Sequence, residues 1–154
     1  MMMAVLTISD ASWMKMRKDE SGQAVKALLE SKGWVVPILE VMPDERVLIE
    51  KRLGELADSG ELAVVFTTGG TGPAPRDVTP EATLAVIERP MPGLSERMRY
   101  EGARITPFAA LSRGVSGIRG RTLIVNLPGS PKGAVESAGA ILDLIPLIVQ
   151  LMRP

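Results

Sequence analysis

Short apolar runs alternate with amphipathic segments along almost the whole chain, and this alternation constrains the fold more than any other feature. Residues 4–9, 35–41, 62–67 and 121–127 are predicted to be buried strands, because each is a short apolar run that polar or turn-forming residues follow. Strands that alternate with helices are typical of an α/β fold with a mainly parallel sheet. Residues 114–120 are compatible with either a short strand or a hairpin.

The helices predicted between these strands carry apolar stripes at the helical period. One face of residues 21–31 carries Ala24, Val25, Leu28 and Leu29. Asp44 is predicted to be the N-cap of the next helix and Thr79 the cap of a helix that continues to Glu88, while a further helix covers residues 94–105. We expect one last helix, with Pro146 as a candidate kink, whose apolar face consists of Ala134, Ala138, Ile141, Ile145, Ile148 and Met152.

The chain is expected to form one domain, residues 1–154, in a three-layer α/β/α arrangement with helices on both faces of the sheet. Neither an internal repeat nor a linker-like segment interrupts the pattern. Hydrophobic residues make up 45% of the chain and aromatic residues only 3%, so the core must be built from aliphatic side chains.

The chain contains no cysteine and no histidine, and this absence excludes several kinds of chemistry. Zinc sites with Cys or His ligands, thiol nucleophiles and Ser-His-Asp catalysis all need those residues. A bound metal must be held by oxygen atoms, which favours Mg²⁺. The 18 Lys and Arg residues balance the 18 Asp and Glu residues, so we expect no nucleic-acid binding.

We expect a cytoplasmic protein that does not enter a membrane. The apolar start of the chain is interrupted by Asp10 and has no basic segment before it, so it is more typical of a buried strand than of a signal peptide. The apolar stretch near the other end is interrupted by Asp143 and Pro146, which argues against a transmembrane helix.

Four loops leave the predicted strands at the ends where open α/β sheets bind their ligands. These loops begin at Ser9, Met42, Thr67 and Asn126. In the third loop, Gly69, Gly70 and Gly72 allow the backbone to approach a ligand closely, and exposed N–H groups there suit phosphate oxygens. Neither of the common phosphate-binding fingerprints is present, so glycine content by itself leaves a structural turn and a phosphate site equally open.

Polar residues in these loops allow both structural and chemical interpretations. Asp77 precedes a predicted helix, where it is either a cap or turn former or a ligand of Mg²⁺ near phosphates. Asp44, taken alone, is more typical of an N-cap, and Asp10 is balanced between a turn-forming and a ligand-binding role. Asn126 is interpreted as a strand-end turn residue and is assigned no chemistry.

Two long motifs resemble those of the MogA/MoaB family, whose relatives include the N-terminal domain of gephyrin. The segment TTGGTGPAPRDVTPEAT, residues 67–83, is similar to the family signature, and LSRGVSGIRGRTLIVNLPGSPKG, residues 111–133, resembles its second motif. The turn at residues 43–45 is similar to the family's PDE turn, and residues 9–10 together with residues 19–22 resemble its opening elements. The resemblance spans almost the whole chain.

The resemblance implies a molybdopterin-binding α/β fold, a homotrimer and molybdopterin adenylyltransferase activity. Active members transfer an adenylyl group from Mg-ATP to molybdopterin, which a later partner uses for molybdenum insertion. Carried onto this chain, Asp44 and Asp77 match the catalytic, Mg²⁺-linked aspartates. The positions that match ligand-binding residues of the family are Thr68, Gly69, Gly70, Thr71, Gly72, Ser112, Pro128, Gly129 and Ser130, together with Asp10 and Ser21.

This chemistry is compatible with a chain that has no histidine or cysteine. The nucleophile would be a terminal phosphate, which is already largely ionised near neutral pH because its second pKa is about 6. Such a transfer depends mainly on positioning and charge neutralisation. Backbone N–H groups of residues 69–72 and Mg²⁺ on Asp77, with Asp44, can supply both. Arg76 either attracts a phosphate or is a solvent-facing turn residue, the second role being more common.

Three functions remain compatible with the sequence: an adenylyltransferase, a non-catalytic molybdopterin-binding or carrier protein of the same fold, and an interaction module. The presence of both aspartates favours the first. Relatives often have a basic residue and a glycine near positions 14 and 15, whereas this chain has the apolar side chains of Trp13, Met14 and Met16 there. These side chains are candidates for a contact with a neighbouring subunit.

Overall fold

The computed structural model describes residues 1–154, which form a six-stranded sheet with helices on both faces. The strands are β1 (Met2–Ile8), β2 (Val35–Met42), β3 (Val64–Thr68), β4 (Arg89–Pro90), β5 (Ser116–Arg119) and β6 (Thr122–Leu127). Their order across the sheet is β2-β1-β3-β6-β5-β4. Strands β2, β1, β3 and β6 are parallel neighbours in this order, while β5 is antiparallel to both β6 and β4. The mainly parallel three-layer α/β fold is thereby confirmed.

Seven α-helices and one short 3₁₀ helix connect the strands. They are α1 (Asp10–Trp13), α2 (Ser21–Ser31), α3 (Arg46–Asp58), α4 (Thr79–Val86), α5 (Pro92–Ala103), the 3₁₀ helix Pro107–Leu111, α6 (Pro131–Gly139) and α7 (Ile145–Met152). No helix has both the length and the apolar character needed to cross a membrane.

The two faces of the sheet bury separate apolar clusters, because side chains alternate along each strand. Along β1, Met3 and Val5 pack on one face, whereas Ala4 and Leu6 pack on the other. Helices α2, α5, α6 and α7 cover the first face, and α3 and α4 cover the second. Phe66 is the one aromatic side chain in the buried core, as expected for so few aromatic residues.

The predicted last helix is two helices, α6 and α7. The chain leaves α6 in tight turns, in which Ile141 N–H donates to the Ala138 carbonyl and Leu144 N–H donates to the Ile141 carbonyl, each at 3.0 Å. Pro146 lacks an N–H and would clash with a preceding helical turn, so it lies in the first turn of a new helix. The predicted apolar face is nonetheless buried from Ala134 to Ile148.

Other boundaries differ from the sequence prediction by a few residues. Helix α4 ends at Val86 rather than Glu88, because the chain then turns to pair with β5. Helix α5 begins at Pro92, since a first-turn position needs no N–H donor. The ambiguous residues 114–120 contain β5, and Gly120, with φ of 58°, makes the turn into β6.

Candidate functional site

The carboxyl ends of β1, β2, β3 and β6 meet at one edge of the sheet. Ile8 pairs with Met42, Thr7 pairs with Thr68, and Thr68 pairs with Leu127. The four loops that leave these strands therefore lie side by side. This arrangement agrees with the prediction that the ligand-binding loops cluster at this edge.

A polar cavity of about 490 Å³ opens between these loops. Among the residues that the sequence predicted for the site, it is lined by Ser21, Asp44, Thr68, Gly69, Gly70, Asp77, Gly129 and Ser130. Glu20, from the motif at residues 19–22, also lines it, as do Arg17 and Lys18, which lie outside every motif. We refer to this space as the polar cavity.

A second space, the apolar cavity, has a volume of about 420 Å³ and adjoins the first. The two cavities share Gly70, Asp77, Gly129 and Ser130. The remaining predicted residues in the wall of the apolar cavity are Thr71, Gly72, Ser112 and Pro128. Phe108 and Leu111, from the 3₁₀ helix, add exposed apolar side chains to this wall. The loop after β3 thus lies between a polar cavity and an apolar cavity.

Glycine is required at two positions of the loop after β3. Gly69 has φ of 99°, and a Cβ there would lie 2.3 Å from the carbonyl oxygen of Ile8. Gly70 has φ of 68°, and a Cβ there would lie 2.2 Å from Thr79 Oγ1. Because both the backbone conformation and the close approach exclude a side chain, the loop packs tightly between the end of β1 and the start of α4.

Three consecutive residues of this loop, each in the wall of at least one cavity, have N–H groups without a hydrogen-bond partner. Those of residues 70–72 donate no hydrogen bond within the protein. By contrast, the N–H of Gly69 donates to the Leu127 carbonyl at 3.1 Å, and Thr68 Oγ1 donates to the Pro128 carbonyl at 2.6 Å. Thr68 and Gly69 therefore fix the loop to its neighbour, and the three free N–H groups suit anionic oxygens.

Asp44 exchanges hydrogen bonds with Asp10 and is not the helix N-cap that the sequence predicted. Asp10 N–H donates to Asp44 Oδ2 at 3.0 Å, and Asp44 N–H donates to Asp10 Oδ1 at 2.9 Å. Helix α3 begins after Glu45, without a side-chain cap, because the Asp44 carboxylate is bound to the neighbouring loop. Asp44 Oδ1 accepts no hydrogen bond and faces Gly70. A Cβ added at Gly70 would lie 3.1 Å from this oxygen.

Asp77 also has one carboxylate oxygen without a partner. Its Oδ2 accepts a hydrogen bond from Ala74 N–H at 3.0 Å, which closes a turn, while Oδ1 accepts none. Thr79 was expected to cap α4 but is its first residue, after Val78, and its N–H donates to the Gly70 carbonyl at 3.1 Å. The buried Thr79 Oγ1 has no hydrogen-bond partner.

The two aspartates fit a divalent cation that arrives with a phosphate ligand. No group of three or more acidic, cysteine or histidine side chains could hold a metal ion on its own. Mg²⁺, however, is commonly bound by one or two carboxylates together with substrate phosphates. Asp44 and Asp77 both line the polar cavity, and each has one carboxylate oxygen that accepts no hydrogen bond. Gly70, with its free N–H group, lines the same cavity, whereas Thr71 and Gly72 line the apolar cavity.

The neighbouring carboxyls of Asp10 and Asp44 have opposite pKa shifts. Hydrogen bonds from Arg76 and from the Asp44 N–H lower the pKa of Asp10 below its ordinary value of 3.8. Burial raises the pKa of Asp44, and the charges of Asp10 and Asp77 add to this effect, although the Asp10 N–H opposes it. A bound cation would therefore favour the ionised form of Asp44.

Arg76 bridges three loops, which the sequence did not predict. Its Nε donates to Asp10 Oδ2 at 2.7 Å, and its Nη2 donates to Asp10 Oδ1 at 3.1 Å. The same Nη2 donates to the Asp44 carbonyl at 3.1 Å and to Glu45 Oε1 at 3.2 Å. Arg76 is therefore exposed but bound within the protein, and it is more than a solvent-facing turn residue.

Arg113 binds the other side of the loop after β3, and the sequence did not identify it as a site residue. Its guanidinium donates to the Gly72 carbonyl at 2.9 Å, to the Asp77 carbonyl at 2.8 Å and to Glu81 Oε1 at 2.6 Å. Its position inside the second long motif was the one available signal. The two motifs are thereby joined directly through this side chain.

The segment between β1 and α2 brings two cationic side chains to the polar cavity. Asp19 Oδ1 accepts hydrogen bonds from Thr7 Oγ1 and from Gly22 N–H, both at 2.9 Å, which fixes the start of α2. Arg17 and Lys18 precede this anchor and line the cavity. They add positive charge to the wall of the cavity that the two aspartates also line.

Trp13, Met14 and Met16 are exposed and line neither cavity. Their side chains are 55%, 62% and 74% exposed, respectively. Their contact with a neighbouring subunit stays a prediction.

Comparison with known proteins gives consistent matches over nearly the whole chain. The family model described as a probable molybdopterin-binding domain matches residues 4–148. A molybdopterin adenylyltransferase of Helicobacter pylori strain J99 is 43% identical over 151 residues, which is 96% of this chain and 85% of that protein. The crystal structure of the molybdopterin biosynthesis enzyme MoaB from Thermus thermophilus has a TM-score of 0.92 and 48% identity, and the match covers 98% of this chain and 95% of that chain.

A longer relative contains a similar segment. The Drosophila melanogaster molybdenum cofactor synthesis protein cinnamon is 46% identical over 149 residues, or 96% of this chain. The match spans 25% of the length of that protein.

Proposed function

The chain belongs to the family of probable molybdopterin-binding domains, and on this basis we propose that it transfers an adenylyl group from ATP to molybdopterin in molybdenum cofactor synthesis. The observation that carries the proposal is the pair Asp44 and Asp77 in the wall of the polar cavity, each with a carboxylate oxygen that accepts no hydrogen bond, next to residues 70–72 with their free N–H groups. Relatives that are similar over 96% of this chain are named molybdopterin adenylyltransferase, which supports the same activity.

In the proposed reaction, an oxygen of the terminal phosphate of molybdopterin attacks the α-phosphorus of ATP. The bond between the α-phosphorus and the oxygen that bridges to the β-phosphate breaks, and pyrophosphate leaves with the electron pair. The attacking phosphate needs no protein base, because its second pKa is about 6 and it is largely ionised at neutral pH. The absence of histidine and cysteine is therefore compatible with the reaction.

The protein's contribution to this reaction is positioning. The free N–H groups of residues 70–72 would donate hydrogen bonds to phosphate oxygens and orient the α-phosphate. Asp44 and Asp77 would hold Mg²⁺, which supplies neutralisation of the phosphate charge. Arg17 and Lys18 would attract the anionic nucleotide to the polar cavity.

We propose that the two substrates occupy the two cavities and meet where these adjoin. The polar cavity, with its carboxylates and cations, suits a triphosphate with a divalent cation. The apolar cavity, with Phe108 and Leu111 in its wall, suits a flat ring system. Asp77 and Gly70 belong to both walls, so the transferred phosphorus would lie beside them.

We further propose a cytoplasmic homotrimer that delivers its product to a molybdenum-insertion protein. The resemblance to the MogA/MoaB family and the exposed side chains of Trp13, Met14 and Met16 support a subunit contact. Light scattering on the purified protein tests the trimer. A monomer at micromolar concentration would contradict it.

The first test of the activity is a direct assay. Purified protein is incubated with molybdopterin and Mg-ATP, and adenylylated molybdopterin and pyrophosphate are quantified. We expect equal amounts of both products, and none when EDTA removes Mg²⁺. Titration calorimetry with molybdopterin alone completes the test. Binding without product would indicate the carrier function, and absence of binding would contradict both functions.

A further inference from the structure

The Asp10 carboxylate is engaged entirely within the protein. Its Oδ1 accepts hydrogen bonds from Asp44 N–H at 2.9 Å and from Arg76 Nη2 at 3.1 Å, and its Oδ2 accepts from Arg76 Nε at 2.7 Å. Asp10 lines neither the polar nor the apolar cavity. The family motif assigned Asp10 to ligand binding, but both of its carboxylate oxygens already have partners.

Asp10 in turn restrains Asp44 at two points. Its N–H binds Asp44 Oδ2 at 3.0 Å, and its carboxylate binds the Asp44 N–H. With Oδ2 bound, rotation of the Asp44 carboxylate is restricted, and Oδ1 is left facing Gly70 and the polar cavity. The orientation of the oxygen available to a ligand therefore depends on the position of Asp10.

We propose that Arg76 and Asp10 are positioning residues that together set the orientation of the Asp44 carboxylate. This inference rests on the proposed function, since it gives Asp44 a role at the reacting phosphates. Arg76 acts through Asp10 and through the Asp44 carbonyl, without touching the nucleotide. The Arg76 guanidinium donates two hydrogen bonds to the Asp10 carboxylate, one to each oxygen. Such a pair of bonds fixes the direction of a carboxylate, which a single point charge does not do.

A stabilising role is a weaker explanation of this ion pair. The side chains of Arg76 and Asp10 are 60% and 34% exposed, and ion pairs this accessible to water contribute little to folding stability. A large loss of turnover with a small loss of stability would therefore exclude a purely stabilising role.

The chain contains a matched control for this pair. Arg119 donates from Nε to Asp58 Oδ1 at 2.9 Å and from Nη2 to Asp58 Oδ2 at 3.0 Å. This is the same two-bond geometry between residues distant in sequence, but neither residue lines the polar or the apolar cavity. Arg119→Gln therefore reports the effect of losing such a pair away from the site.

The kinetic test compares Arg76→Gln, Asp10→Asn, the double variant and Arg119→Gln. We expect each single variant at the site to lower kcat by about 10- to 100-fold, as misplacement of a reacting geometry does. The KM for molybdopterin should stay within about threefold of wild type, because neither Arg76 nor Asp10 lines the polar or the apolar cavity and the contacts to molybdopterin remain. The double variant should be no less active than the less active single variant. Arg119→Gln should keep kcat within about twofold, and Arg76→Lys should recover little.

A structural readout makes the test independent of activity. Crystal structures of the wild type and of Arg76→Gln without substrates should show Asp44 Oδ2 bound to Asp10 N–H only in the wild type. A wild-type protein that makes no product would contradict the proposed function, whereas the two crystal structures would still decide the positioning role.

Three results would overturn the inference. The first is an Asp44 carboxylate that keeps its place in Arg76→Gln. The second is a raised KM for ATP with unchanged kcat, which would put Arg76 on the nucleotide. The third is a double variant whose loss in kcat equals the product of the losses in Arg76→Gln and Asp10→Asn. Two residues that act through one carboxylate cannot contribute independently.

Discussion

The side-chain amide of Asn126 donates a hydrogen bond to Thr67 Oγ1 at 3.0 Å, across the β3–β6 pair. The same Nδ2 donates to Thr83 Oγ1 at 2.9 Å, and Oδ1 accepts from Val115 N–H at 3.1 Å. Asn126 therefore joins β3 and β6 to α4. It is a buried bridging residue of β6 and not the strand-end turn residue that the sequence suggested.

Asn126→Ala is expected to lower the free energy of unfolding by about 2–4 kcal/mol, because it leaves several buried polar groups without partners. Urea denaturation measures the change. Ser31→Ala, which removes an exposed hydroxyl bonded to the Leu28 carbonyl, serves as the control and should stay within about 0.5 kcal/mol of wild type. A loss below about 1 kcal/mol for Asn126→Ala would contradict the bridging role.

Gly70→Ala and Gly60→Ala separate backbone strain from steric contact. Both glycines have positive φ, 68° and 73°, but a Cβ at Gly60 would have no atom within 4 Å, whereas one at Gly70 would meet Thr79 Oγ1. We expect Gly60→Ala to cost about 1 kcal/mol and Gly70→Ala about 3 kcal/mol or more in the free energy of unfolding. Equal losses would show that Thr79 moves aside without cost.

Arg113→Gln should loosen the loop that carries Asp77. It removes hydrogen bonds to two carbonyls of that loop, and we expect a loss of about 1–2 kcal/mol in the free energy of unfolding together with reduced turnover. Glu81→Gln removes the charge of the partner carboxylate but leaves the carbonyl bonds, and it should cost less than about 1 kcal/mol with turnover retained. Equal effects of the two variants would assign the role to the ion pair.

Asp77→Asn is expected to keep the fold and to reduce adenylyl transfer by about 100-fold or more, because it removes a carboxylate from the cation that neutralises the phosphates. Product formation is measured beside circular dichroism, which verifies folding. Asp143→Asn is the matched control, since Asp143 pairs with Arg97 and lines neither cavity of the site. Undiminished turnover in Asp77→Asn would remove Asp77 from the proposed mechanism.

The Asp58–Arg119 pair should make stability depend on pH under acidic conditions. Hydrogen bonds from Arg119 lower the pKa of Asp58 below 3.8 in the folded protein. The unfolded chain then binds a proton more readily, so the pair stabilises fully above the unfolded pKa of about 3.9 and loses this effect as pH falls through the lowered folded pKa. The stability difference between wild type and Asp58→Asn should shrink from about pH 5 to about pH 2. A difference that does not vary with pH would contradict this linkage.

The elements of this fold were predictable where their pattern is local. The apolar runs of β1, β3 and β6 and the stripes of α2 and α3 identify them, because a strand or a helix repeats its buried positions along the chain. Their ends were less predictable. Pro146 was recognised as a disturbance of the last helix, but the sequence did not show that the chain would leave one helix and begin another.

The candidate site was predictable for a different reason. The glycines of residues 69–72 and Asp77 were candidates from their place after a predicted strand, but structural roles stayed open until the resemblance to family motifs favoured ligand binding for them and for Asp44. The structure gathers all of the predicted site residues except Asp10 into the walls of two adjoining cavities. It also adds Arg17 and Lys18, for which no local pattern gave a signal.

By itself, the sequence determined the α/β class, the four loops at one edge of the sheet, and a chemistry that works through oxygen ligands and backbone N–H groups. The tertiary structure alone decided what each polar side chain binds. Asp10 meets Asp44 across 34 residues, Asn126 meets Thr67 across 59, and Arg76 meets Asp10 across 66. Hydrogen bonds between such distant residues depend on strand order and register, which bring loops together in space, and no local pattern of residues records these contacts.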